Sequence, residues 1–264
     1  MDKIELIRTR KSVRTFDGNP VADADIEMLT NYLQTITNPY GIPVEFVLLD
    51  AEKHALSSPV IQGEHLYITG KVQKMLHCEE AFGFAFEEMV LYAWSLGIGT
   101  AWIGGTMKRS HFEQEANVRN GEIMPCVSPL GVPAKKRSVK ENAMRTAIRA
   151  DKRLKAEELF FENYFRTPLH TKDTLIQTAL EAVRVAPSAV NKQPWRIVKV
   201  GKTYHFYEYH SLGNQAGAEW DVQKVDMGIA LCHFVLITGG KLSLSDPQIN
   251  TPKDTEYIAS IVLE

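Results

Sequence analysis

AFGFAFEEMVLYA, Ala81–Ala93, has a counterpart late in the chain in DMGIALCHFVLIT, Asp226–Thr238. Gly83 falls over Gly228, Ala85 over Ala230, and Val90-Leu91 over Val235-Leu236. Both stretches are apolar nearly all round, which predicts buried helices over Glu79–Leu96 and Val225–Thr238 rather than surface ones. Gly97 and Gly99 end the first. Two further pairs keep the same order: PVEFVLL from Pro43 over PWRIVKV from Pro194, and RTF ending at Phe16 over NYF ending at Phe165. All three matches are offset by roughly 145 to 151 residues. One such match would be chance, whereas three in order argue for duplication. The period lies outside short-repeat arrays, so the expectation is two similar lobes, 1–150 and 151–264.

Other elements fit around this pair. Ile26, Leu29, Leu33 and Ile36 lie at helical spacing in Ala24–Ile36, and Leu175, Ile176, Ala179 and Val183 share one side of Lys172–Val185. Val44–Leu49, Trp195–Val200 and Tyr204–Tyr209 read as strands. The charge-rich Lys135–Leu159 reads as a helical connector between halves. Glu64–His77 and His205–Trp220 carry no readable code and are expected to shape a pocket.

Composition narrows the function classes. The 264 residues are 44% hydrophobic and 23% charged, which excludes a disordered or low-complexity chain. Basic residues number 30 and acidic 32, a formal charge of -2, so a nucleic-acid partner is not expected. Cys78, Cys126 and Cys232 are far apart and form no CxxC pair, as expected of small apolar residues in a reducing compartment. The histidines from His54 to His233 show no metal spacing, so no metal is expected. MDKIELIRTRK lacks the apolar core of a signal peptide, and the uncharged Met89–Gly105 is too short and glycine-rich to span a membrane. The expectation is a cytoplasmic protein with no membrane partner.

Four segments carry chemistry. In RTRKSVRTF, Arg8–Phe16, cations surround the Ser12 hydroxyl, an arrangement suited to phosphate because guanidinium donors have fixed bidentate geometry. The bland alternative is a solvated basic helix end. APSAVNKQPW, Ala186–Trp195, offers the amides of Asn191 and Gln193 and the Trp195 ring, suited to the edge of a planar heterocycle, or else a capped turn. GIGTAWIGG, Gly97–Gly105, follows a helix instead of opening one, which excludes a Rossmann phosphate loop and leaves glycines for close backbone approach to a ligand. PLGVPAKKRS, Pro129–Ser138, delivers Lys135, Lys136 and Arg137 on a turn, or is a solvated charge run.

Together and in this order, these segments resemble the FMN-dependent nitroreductase family. The start is similar to its RRSVRxF phosphate motif, Ala186–Trp195 to its APSxxNxQPW loop, Gly97–Gly105 to its LGLGxxWIGG segment, and Pro129–Arg137 to its late LGxP-basic turn. The resemblance implies an α+β nitroreductase-like fold, in which two subunits ordinarily share each FMN. Here the first half has the basic start but TNPYGI where the proline-serine loop belongs. The second half has that loop but ENYF where the arginines belong, and GGKLSLS where WIGG belongs. Complementary losses resemble the two-lobed, internally duplicated branch, an intrachain pseudo-dimer in which the monomer is competent.

By that resemblance Arg10, Ser12, Lys135 and Arg137, with Lys11 as a weaker candidate, hold the FMN phosphate. Arg14 stabilises charge on the reduced flavin. Pro187, Ser188, Ala189 and Asn191 line the ring and ribityl chain. Ile103, Gly104 and Gly105 lie along the ring, with a backbone N–H directed at N5. No side chain is catalytic, because the flavin carries the chemistry. The implied activity is ping-pong hydride transfer from NAD(P)H through flavin N5 to a small-molecule acceptor such as a nitroaromatic or quinone. The alternatives are a flavin-binding storage or sensing protein and another flavin reaction such as reductive dehalogenation.

Overall fold

The computed structural model describes residues 2–211 and 220–264. Its first elements are α1 Lys3–Thr9, α2 Asp23–Leu33, β1 Val44–Asp50, β2 Leu66–Gln73, α3 Cys78–Ser95, α4 Arg109–Glu115, β3 Glu122–Ile123, β4 Val127–Leu130 and α5 Val139–Ala147. There follow α6 Ala156–Leu159, β5 Phe160–Glu162, α7 Thr174–Arg184, a 3-10 turn at Ala189–Asn191, β6 Trp195–Val200, β7 Thr203–Tyr209, α8 Val222–Thr238, β8 Lys241–Ser243 and β9 Thr255–Val262. Helices and antiparallel strands in both halves make this an α+β chain. Two compact units emerge: one of Thr9–Cys78 and Ala85–Ala150, the other of Asp151–Glu264 with Met1–Arg8 and Glu79–Phe84.

In the unit of residues 9–78 and 85–150, β2 is the central strand. It pairs antiparallel with β1 (Val44↔Val72 to Asp50↔Leu66) on one side, and with β4 (Leu66↔Leu130 to Thr69↔Val127) and β3 on the other. Leu49, Tyr67, Ile103, Phe112, Met124 and Val127 form a core beside it. Tyr67 meets Phe112 edge-on at 5.0 Å. The expected pocket-shaping loop Glu64–His77 is therefore mostly a buried strand. Its disguise is Lys71, which lies 3% exposed because its Nζ reaches the Glu45 carboxylate at 3.1 Å and donates to the Asn117 carbonyl at 3.0 Å.

The other unit holds a five-stranded sheet in the order β5-β6-β7-β9-β8, antiparallel except for β5 beside β6. α8 is buried along most of its length, as all-round apolarity requires, and α7 turns its apolar side to it. His233 Nδ1 lies 2.8 Å from the Ala182 carbonyl and joins the two helices. The Asp173 and Asp221 carboxylates cap their first turns. Gly83 of α3 meets Gly228 of α8 at a crossing so close that a Cβ at Gly228 would lie 2.1 Å from the Glu80 carbonyl oxygen. The strand expected at Tyr204–Tyr209 is β7, which takes up the start of the expected pocket-shaping stretch His205–Trp220, and 212–219 lie outside the described residues. The connector 135–159 is less helical than expected. α5, capped by Ser138, ends at Ala147, and Arg149 follows with φ 50.

Candidate functional site

Three of the four segments singled out in the sequence meet in the unit of residues 9–78 and 85–150. Ser12 bridges Thr100, and Val13 N–H donates to the Thr100 carbonyl at 2.7 Å. Phe16 bridges Pro133, Asp17 N–H donates to Val132, Ala134 N–H donates to Thr15, and Gly99 bridges Gly131. The basic start is thus threaded between the glycine segment and the late turn by backbone hydrogen bonds. The glycines make this possible by close approach within the chain. A Cβ at Gly99 would lie 2.9 Å from the Val13 Cβ, and one at Gly131 2.6 Å from the Phe16 ring. Gly105 has open space instead, and Gly104 meets only the Pro125 carbonyl at 3.5 Å.

This threading takes the Arg10 side chain out of water and half-buries Arg14. Arg10 has a side chain 6% exposed, 3.9 Å from the Glu87 carboxylate. Among the described residues neither its Nε nor that of Arg14 has a hydrogen-bond partner. Burial holds both guanidinium groups below their ordinary pKa. Glu87 opposes this at Arg10 and Glu141 at Arg14, while Arg145 adds like-charge repulsion to both. Glu141 is itself buried, accepts from Thr15 Oγ1 at 2.8 Å and lies 3.5 Å from Arg137 Nε. Buried arginines with orphaned donors and a third guanidinium nearby suit a phosphate, which would supply both acceptors and charge. The residues present therefore fit the anionic end of FMN.

The other candidates differ in what they offer. Ser12 is half-buried beside Thr100 and the exposed Lys11 lies 5.9 Å over the Trp94 ring, while Lys135 and Arg137 are exposed on the turn. Ile103 is buried, and its N–H donates to the Val127 carbonyl at 2.9 Å. With the Ile103 N–H already used, Gly104 and Gly105 are the exposed members of the three residues expected along a ring. Arg109 fixes their position: its guanidinium donates to the carbonyls of Gly104, Met124 and Pro125. Sequence reasoning missed Arg109, Arg145 and Glu141. Their only signal in the sequence is charge within short helices, Arg109 in α4 and Glu141 and Arg145 in α5.

The fourth segment belongs to the other unit. Ala189 N–H donates to both oxygens of the buried Asp226 carboxylate, at 3.0 and 3.1 Å, and Gln193 N–H donates to Ser188 Oγ at 2.9 Å. The amides expected to face a ligand hold the connector: Asn191 Oδ1 accepts from Arg153, Asn191 Nδ2 donates to the Lys152 carbonyl, and Gln193 Oε1 accepts from Leu154 N–H. Trp195 is a core residue of β6. Val190 stands at φ 43, ψ 30, a strained conformation for a β-branched side chain and a mark of loops whose shape is used. Pro187, Ser188 and Ala189 are half-buried beside it.

A solved structure described as a "putative nitroreductase" from Thermotoga maritima is similar over 100% of this chain and 94% of its own, with 20% identity and a TM-score of 0.64. That likeness speaks to the fold. An "FMN-dependent Nitroreductase" from Clostridium difficile matches 51% of this chain and 90% of its own at 15% identity, TM-score 0.44. A "Putative NADH dehydrogenase/NAD(P)H nitroreductase" from Bacteroides thetaiotaomicron matches 52% and 89% at 19% identity, TM-score 0.44. No functionally curated protein matches the chain. Among the described residues no helix is long and apolar enough to cross a membrane. The profile of the family described as "Putative TM nitroreductase" matches residues 2–238, and the chain belongs to that nitroreductase family.

Proposed function

We propose that this chain is an FMN-dependent oxidoreductase that takes hydride from NADH or NADPH and delivers it to a small acceptor of the nitroaromatic or quinone kind. Family membership supports an oxidoreductase. The observation that carries the cofactor is the pair Arg10 and Arg14, whose buried Nε atoms have no hydrogen-bond partner among the described residues. When bound, FMN supplies the two-electron centre, so no protein nucleophile is required.

The chain's residues bind and orient. Arg10 receives the phosphate, with Ser12, Lys135 and Arg137 at its margin and Lys11 farther out. Arg14 provides positive charge where the reduced ring gathers negative charge. Gly104 and Gly105, steadied by Arg109, offer backbone donors to the ring edge. Pro187, Ser188, Ala189 and Asn191 are assigned to the ring and ribityl chain from their motif. Asp226 holds Ala189 in place.

Anaerobic stopped-flow mixing of the flavin-loaded protein with each nicotinamide tests the reading. Bleaching of the flavin band faster than about 1 per second is expected, within the usual range of enzyme turnover. Absence of bleaching with both donors would overturn it in favour of storage or sensing.

A further inference from the structure

Glu208 is an anomaly of the unit that carries β7. Its side chain is completely buried, and among the described residues neither carboxylate oxygen has a hydrogen-bond partner. Directly across the β7–β9 ladder stands another carboxylate, Glu256. Like charges opposed in this way repel. Asp221, Glu256 and Glu80 all act on Glu208 electrostatically in the same unfavourable sense. The neighbouring Lys224 lies 3.3 Å from Glu256 and is shared with it. Buried carboxylates are ordinarily paired, hydrogen-bonded or bound to metal.

Two further ligand atoms converge there. His210 Nδ1 lies 2.9 Å from Glu208 Oε1, without the geometry of a hydrogen bond to it. The opposite ring nitrogen, Nε2, lies 3.4 Å from the Glu256 carboxylate, the carboxylate–imidazole arrangement that orients metal-binding histidines. Asp221 caps α8, one oxygen accepting from Gln223 N–H at 2.8 Å, which fixes where the carboxylate points. One ligand atom from each of Glu208, His210 and Asp221 lies within 4.8 Å of the others. The backbone holding them is braced. Gln223 Nε2 donates to the Tyr209 carbonyl at 3.0 Å and to Ser211 Oγ at 3.1 Å, and His210 N–H donates to Asp254.

We propose that Glu208, His210 and Asp221 bind a divalent transition-metal ion of the zinc–manganese class, with Glu256 as the partner that orients the imidazole. One imidazole with two carboxylates favours such ions over magnesium or calcium, which prefer oxygen throughout. His210 and Asp221 are partly exposed, so the ion has a route in and solvent completes its coordination. The histidine spacing hides the site because two of its three ligands are acidic.

The test uses full-length protein freed of metal by a chelator, then titrated with zinc in competition with a chromophoric chelator, with manganese in parallel. One zinc per chain is expected, together with a zinc-dependent rise in Tm. H210A and E208Q should bind at least about tenfold more weakly, since even outer-sphere losses commonly weaken sites by that factor, and should lose the Tm rise. Folding is checked by circular dichroism. Should E208Q not fold, H210A, at a partly exposed position, still decides. Zinc that binds substoichiometrically, or equally well to H210A, overturns the proposal and leaves an ordinary His–Glu ion pair. Flavin content is read on the same samples, so failure here is separable from failure of the flavin assignment.

Discussion

Replacing Gly228 by alanine tests the helix crossing at which the α8 backbone touches α3. In an ordinary helix interior this change stabilises by about 1 kcal/mol, because glycine surrenders more backbone entropy on folding. Here the new Cβ would stand 2.1 Å from the Glu80 carbonyl oxygen and 2.8 Å from the Phe84 nitrogen, where ordinary contact begins at 3.4 Å. Both obstacles are backbone, so no side chain can swing aside. The helices must separate by about 1.3 Å at the crossing, the difference between those contact distances. Close-packed neighbours then lose contact along the seam, and overpacking of this kind commonly costs about 1–3 kcal/mol, at times more. The expected outcome is a net destabilisation of about 1–3 kcal/mol, seen as a lower urea midpoint in the tryptophan-fluorescence transition. Gly83→Ala meets the Val225 carbonyl at the same 2.1 Å and should behave alike. The double variant should cost less than the sum, because one separation relieves both clashes. A G228A protein as stable as the parent, or more so, would refute the reasoning.

Arg10→Ala should remove a charge-assisted contact worth roughly 1.5 to 3 kcal/mol and weaken FMN binding about ten- to a hundredfold. Riboflavin, which lacks the phosphate, should bind parent and variant alike, and equal FMN affinity would exclude Arg10 from the phosphate site. Flavin absorbance combined with light scattering should give one FMN per chain retained by a monomer, whereas two flavins per chain, or flavin lost on dilution, would contradict the fused reading. Burial holds the Asp226 carboxyl well above the usual carboxylate range, against the Ala189 N–H bond that opposes it. The folded state therefore keeps its proton while the unfolded state ionises, so this group's contribution is intact below the ordinary aspartate pKa and is lost as pH rises through the folded one. Asp226→Asn should flatten the fall in stability as pH rises above the ordinary aspartate pKa, measured by urea melts; an unchanged slope would place that pH dependence elsewhere.

What could be read from the sequence follows from how locally each feature is determined. α3 and α8 were legible because an apolar surface on every side of a helix has nowhere to go but inside, and β1, β6 and β7 are runs of strand length with turn residues at their ends. β2 was not, because Gly70 and Lys71 interrupt its pattern and only the tertiary contacts of Lys71 make its burial tolerable. β8 and β9 passed unread for a related reason: pairing with β7 and with each other defines them, not their composition. The arginines at 10 and 14 stood out as a cluster in sequence. Arg109 and Arg145 lie far along the chain and act only after folding brings Arg109 to the glycine segment and Arg145 within electrostatic reach of Arg10 and Arg14. The amides of Asn191 and Gln193 have partners on the connector at Lys152–Leu154, a long-range use that no local spacing reveals.

The cost of burying Arg10 and Arg14 connects stability with binding. Taking a guanidinium out of water is unfavourable unless charge and hydrogen bonds are returned to it. Glu87 returns little at 3.9 Å and also accepts from the Trp102 indole at 3.0 Å. The Glu141 carboxylate is divided between Thr15 and Arg137 as well as Arg14. Arg145 worsens the balance at both arginines. A core optimised for stability alone would place apolar side chains here. The arginines are instead held by the backbone bridges around Ser12, Val13 and Phe16, which exist only because Gly99 and Gly131 lack a side chain. The strain of concentrating positive charge is thus carried by backbone hydrogen bonding and glycine-permitted packing, and a bound anion would relieve it. On the proposed reading, part of the protein's intrinsic stability is given up so that a phosphate-bearing ligand can be bound more tightly, and that ligand would in turn stabilise the fold by mass action.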